Sequence, residues 1–155
     1  MVVEHIFITT LDKDDALVLA DAFFTDLGLE RVKTRTNASE WSAGRDRPRN
    51  LADFKRTVRI DFDRGRITLG ASAPTIQSTA SVEKLYAPYM LALASSLEAH
   101  ISHGQSVDEA AAPVRAALET LKRRDRRQRV IALAIVGAFV LLIVGIVVAI
   151  ILTSP

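Results

Sequence analysis

Residues 57–72 read TVRIDFDRGRITLGAS. Val58, Ile60 and Phe62 alternate with Arg59, Asp61 and Asp63, and beyond Arg64-Gly65 the alternation resumes with Ile67, Leu69 and Ala71. A period of two puts the apolar side chains on one face of a strand and the charged ones on the other. A two-residue interruption containing glycine fits a tight hairpin turn. The stretch therefore predicts an antiparallel pair with one packed face and one wet face.

Toward the N-terminus, Val2 to Thr9 is rich in β-branched and aromatic residues, and both alternating sets, Val3 and Phe7 against Val2, Ile6 and Ile8, are apolar. That composition predicts a strand buried on both faces. Asp12 follows as a helix N-cap, with Asp14 and Asp15 favourable to the dipole of the first turn. Ala16, Leu19, Ala20, Phe23, Phe24 and Leu27 then form a helical stripe that Gly28 ends. Arg31 to Thr36 and Glu40 to Ala43 read as shorter strands, and GRDRPRN, residues 44–50, as a polar loop.

Toward the C-terminus, residues 81–104 predict a long helix with Leu85, Tyr89, Leu93, Leu97 and Ile101 on one side and a kink or restart at Pro88. Ser106 and Glu109 have the spacing of a capping box. The helix they open runs toward the end of the chain, with an interruption expected near Pro113. The order is β-α-β-β-β-β-α-α, an α+β fold in which a small antiparallel sheet is packed by helices, followed by one transmembrane helix.

The last part of the chain is the most uneven in charge. The protein has 155 residues, with 20 basic and 18 acidic side chains and a net charge of +2. Lys122 to Arg129 alone carries net +5, in Lys122, Arg123, Arg124, Arg126, Arg127 and Arg129 against Asp125, so residues 1–121 carry −3. Val130 to Leu152 then contains no charged or polar side chain. Those residues extend about 35 Å as a helix, enough for a hydrocarbon core about 30 Å thick. A helix apolar all round has no place in a domain of this size.

The arginine collar sets the orientation, because basic residues beside a span stay on the cytoplasmic side. The expected organisation is a cytoplasmic α+β domain over residues 1–104, a helical stalk with a basic juxtamembrane collar over 105–129, a transmembrane helix over 130–152 and a short non-cytoplasmic tail over 153–155. The expected location is the cytoplasmic membrane, single-pass and tail-anchored. Arginine outnumbers lysine 15 to 5, which agrees with a GC-rich bacterial genome.

The collar residues are expected to meet anionic lipid. Ala134, Ala138, Gly145 and Ala149 lie near one face of the span and let a second helix approach, from another copy or from a partner membrane protein. Val107, Ala110, Val114, Ala117 and Leu121 follow a heptad whose frame continues through Ile131, Ile135, Ala138, Leu142, Gly145 and Ala149. This face either forms a dimer seam or packs on the domain, and Arg124 and Gln128 interrupt the seam.

Catalytic chemistry has little to stand on. There is no cysteine, which excludes disulfides, thiolate catalysis and cysteine-based metal sites. His100 and His103 are three residues apart on one helix, a spacing that suits a metal, but further ligands are missing. Asp61 and Asp63 share a strand face and are expected to pair with Arg59 and Arg66 across the hairpin. DFDRG begins like a calcium loop, yet Gly65 stands at position five and Ser72 at position twelve, so it reads as a turn. No nucleotide-binding, zinc-protease or hydrolase motif occurs. The expectation is no catalytic residue, no metal and no cofactor.

Between Arg45 and Arg59 the chain is locally +4. Aromatic interleaving is poor there, so nucleic acid is not the expected partner. Trp41, Arg45, Arg47 and Arg49 are the candidate lipid-headgroup or partner contacts. Two functions fit: a non-enzymatic binding or assembly domain displayed on the membrane, or a membrane-tethered lipid or hydrophobic-ligand domain of helix-grip type.

Overall fold

In the computed structural model, which describes residues 2–45, 53, 55–72 and 80–153, five strands form one antiparallel sheet. They are β1 (Val2–Ile8), β2 (Glu30–Thr34), β3 (Ala38–Ala43), β4 (Arg56–Asp63) and β5 (Arg66–Ser72), in the spatial order β1-β5-β4-β3-β2. Three helices complete the fold: α1 (Lys13–Asp26), α2 (Ala80–His103) and α3 (Val107–Thr153). The order along the chain and the α+β class are those expected.

The β4–β5 pair has the register of a two-residue hairpin, with Asp63 opposite Arg66. Arg64 and Gly65 both have positive φ, 47° and 80°, the geometry that matches the twist of a hairpin. Gly65 is further constrained because a Cβ there would lie 3.0 Å from the Thr9 carbonyl oxygen. Val58, Ile60, Ile67, Leu69 and Ala71 point into the core, while Arg59, Asp63 and Arg66 face outward.

α1 connects β1 at one edge of the sheet to β2 at the other. Fourteen residues span about 21 Å, and four interstrand gaps measure about 19 Å, so one helix of this length crosses the sheet. Asp12 caps it by accepting from the Asp15 backbone N–H at 2.9 Å. At its end Gly28 takes φ 73°, and the Leu29 N–H returns to the Phe24 carbonyl.

Four expectations change. β1 is an edge strand rather than a strand buried on both faces: Phe7 is inside, but Ile6 is 47 % and Ile8 77 % exposed. It pairs only with β5, and the helices cover one face of the sheet. α2 continues through Pro88 and α3 through Pro113. Both prolines are exposed, so the distortion each imposes is taken up on the solvent side. Arg59 pairs with Asp61 on its own strand, at 2.6 and 2.8 Å, rather than across the hairpin.

The core lies between the sheet and the helices, where Phe7, Phe23, Phe24, Trp41, Ile60, Leu69, Tyr89, Leu93 and Leu97 are fully or nearly fully buried. α3 joins it through Ala110, Ala111, Val114 and Leu121. The first four turns of the segment read as a stalk are thus packed on the domain. That contact occupies the heptad face and removes its lower half from any seam with a second chain.

Candidate functional site

The feature with the strongest chemistry is the place where α3 leaves the domain. Leu121 and Asp125 are 2 % and 3 % exposed, one turn apart on the face of α3 that meets the domain. Lys122, Arg123, Arg124, Arg126, Arg127 and Arg129 are exposed around them. From Val130 onward the helix is open on every described side, with Leu133, Phe139 and Leu141 between 63 % and 73 % exposed. Among the described residues it is the one helix long and apolar enough to cross a membrane.

The β3–β4 connection comes to the same place. The Arg45 N–H donates to the Asp53 carbonyl at 2.9 Å, and the Lys55 N–H to the Arg45 carbonyl at 3.0 Å. These bonds bring Asp53 beside the collar, where it lines an open groove of about 550 Å³ with Lys122, Asp125, Arg126, Arg129, Val130 and Leu133. Arg129 donates to Asp125 at 2.5 Å, and Lys122 to Glu119 at 2.7 Å. The Lys122 ammonium holds the Glu119 carboxyl below its ordinary value, through a hydrogen bond and its charge.

Behind the groove sits a buried polar cluster. Arg56, at the start of β4, is 8 % exposed, and its Nε and Nη1 have no hydrogen-bond partner. Its guanidinium carbon lies 5.2 Å from the Tyr89 ring centroid, a cation–π contact that offsets part of the cost of desolvating it. Burial pushes the Tyr86 phenol up to about 12, with Arg56 acting against the shift and Asp125 and Asp53 adding to it. Burial also raises the Tyr89 phenol, again opposed by Arg56. Both tyrosines stay neutral at physiological pH.

The residues expected to form a headgroup loop are not all together. Trp41 is on β3 and fully buried. Its indole N–H donates to Asp21 at 2.8 Å, and Arg31 donates to the same oxygen at 3.0 Å while lying 5.5 Å from the indole centroid. Trp41 is a core residue and no part of a surface contact, because β3 presents it on the face that α1 covers. Arg45 is exposed at the start of the connection. Arg47 and Arg49 lie outside the described residues. In the apolar part of α3 Ala134 and Ala138 are exposed; Gly145 and Ala149 lie on the same helix, their surroundings outside the described set.

The titratable candidates elsewhere are held in structural roles. His5 Nε2 lies 2.7 Å from Glu98 Oε2 and ties the edge strand to α2. His100 Nδ1 contacts the Gln105 carbonyl at 2.6 Å, and its ring stacks on Phe23 with centroids 5.9 Å apart. His103 is exposed. Among the described residues no three His, Asp or Glu side chains are grouped to hold a metal.

Sequence reasoning missed Asp125, Arg56 and Tyr86. Asp125 had a signal, since it is four residues beyond Leu121 and eleven beyond Val114, on the buried stripe. Arg56 had only its place in the β4 alternation, two residues before Val58. No known family matches the chain, and no curated protein does. Among solved structures the vertebrate conserved region of human METTL16 is similar to it, with 12 % identity over 63 % of this chain and 97 % of that one. The TM-score is 0.38, too distant a likeness to carry any inference.

Proposed function

We propose that this protein is a membrane-anchored, non-enzymatic binding or assembly module, with its α+β domain resting on the cytoplasmic face of the bilayer. The observation that carries the reading is the continuity of α3. One helix begins in the domain core at Ala110, passes through a collar of six basic residues and emerges as an apolar cylinder exposed from Val130 to Val144. Exposing that surface to water is strongly unfavourable, and a bilayer is the solvent that matches its length and composition.

Flanking arginines favour the cytoplasmic side for the domain. The five residues from Asp125 to Val130 rise about 7.5 Å. The domain therefore stands within a headgroup layer's depth of the hydrocarbon, with no free stalk between. The pairing of His5, His100 and Asp61 with structural partners speaks for binding rather than catalysis. A helix-grip carrier would need space between sheet and helices, and the packing of Trp41, Phe24, Leu69 and Leu93 there weighs against it.

The chain has no cysteine, so single cysteines report topology on a clean background. Full-length Thr10→Cys protein in bacterial spheroplasts should resist a membrane-impermeant maleimide and react after lysis. Labelling of intact spheroplasts would reverse the orientation. Release of the chain by alkaline carbonate would remove the anchor.

A further inference from the structure

We propose that the groove between the collar and the β3–β4 connection is a binding site for one anionic phospholipid, its phosphate held by Lys122 and Arg126 and an acyl chain lying along Val130 and Leu133. The inference rests on the membrane reading above and assigns a ligand to that end of the domain.

The geometry separates this groove from the rest of the collar. At 3.6 residues per turn, Lys122, Asp125, Arg126, Arg129, Val130 and Leu133 share one face of α3, whereas Arg124 and Arg127 point away from it. Among the described residues this face has a second wall, supplied by Asp53. It also changes from charged to apolar along its length within two turns, the polarity profile of a phospholipid entering from the headgroup layer.

The charges inside it are organised as well. Asp125 is buried and occupied by Arg129, so its charge is neutralised at the back of the groove. Arg126 has no ion-pair partner among the described residues, and Lys122 is held only by the exposed Glu119. A guanidinium and an ammonium one turn apart suit a phosphate better than a zwitterionic headgroup whose own ammonium would meet them. Buried Arg56, with Nε and Nη1 unmatched, adds positive potential from behind.

The test is native mass spectrometry of the full-length chain released from micelles containing equal amounts of dioleoyl phosphatidylglycerol and dioleoyl phosphatidylcholine. One phosphatidylglycerol per chain is expected, with phosphatidylcholine excluded. The double variant Lys122→Gln/Arg126→Gln should lose about tenfold more occupancy than the charge-matched Arg124→Gln/Arg127→Gln. All four positions are exposed, so both variants keep the domain's melting temperature.

Equal losses in the two variants would overturn the site and leave only diffuse attraction to the collar. Equal retention of the two lipids by the wild-type chain would overturn it too. Either result would leave the anchor standing if the chain still resists carbonate. A wild-type chain that carbonate releases would instead bring down the membrane reading itself.

Discussion

The two halves of α3 have the same backbone and opposite surroundings. From Val107 to Asp125 the helix is amphipathic: Ala110, Val114, Leu121 and Asp125 are buried, while Asp108, Arg115, Glu119 and Arg123 are exposed. From Val130 to Val144 it is apolar on every side and exposed at every position. The first half is stabilised by a partner surface and the second requires a solvent. Hydrophobicity alone does not place a residue in a core: the most apolar part of this protein is the least buried, because a domain offers each helix one stripe of contact and this segment has no polar side to leave outside.

The largest effect that would break this contrast comes from charging the second half. Leu141→Arg with Val144→Arg should cost about 5–7 kcal/mol of membrane insertion and release the chain into the carbonate supernatant. The melting of the domain should not change, because neither side chain touches it. Retention in the membrane pellet would show that something other than this span holds the protein.

Truncation in the first half should do the reverse. Leu121→Ala opens a cavity at a fully buried position and should lower domain stability by about 2–5 kcal/mol. Leu133→Ala, three turns further along the same helix, should move it by less than about 0.5 kcal/mol. Urea titrations of the two full-length variants in micelles compare them directly, and similar midpoints would erase the boundary drawn at Asp125.

The polar cluster beside that boundary gives a pH-dependent version of the comparison. Burial raises the Tyr86 phenol from 10 to about 12, so above pH 10 the unfolded chain loses this proton before the folded one does. Stability should then fall between about pH 10 and 12, and Tyr86→Phe should flatten the decline. Denaturant midpoints across that window measure it; an unchanged slope in the variant would place the sensitivity elsewhere.

A smaller effect sharpens the helix termini. Asp12→Ala removes the side chain that accepts from the Asp15 N–H and should cost about 1 kcal/mol. Ser106→Ala, where the Glu109 N–H reaches Ser106 Oγ at 3.3 Å, should cost less, about 0.5 kcal/mol. Thermal melts of the two variants rank the caps, and the reverse order would show that the start of α3 depends on its cap more than its packing suggests.

Local patterns made much of this legible in the chain itself. Alternation over 57–72 identified the hairpin, Asp12 and Gly28 bounded α1, and the uncharged run after Arg129 marked the apolar helix, since each depends on neighbours a few residues apart. The amphipathic and uniformly apolar halves of the last helix could be told apart by composition alone. What only the tertiary structure decided was which surfaces meet. It made β1 an edge strand, because among the described residues it pairs with β5 on one side and with no strand on the other. It buried Trp41 against Asp21 and α1, although its place beside a basic loop suggested a surface role. It folded the supposed stalk into the core and brought Asp53 from the β3–β4 connection to the collar on α3. Such contacts join positions twenty residues apart, as for Trp41 and Asp21, or about seventy, as for Asp53 and the collar, and no period along the chain encodes them, because they follow from how the sheet twists and where the helices come to rest on it.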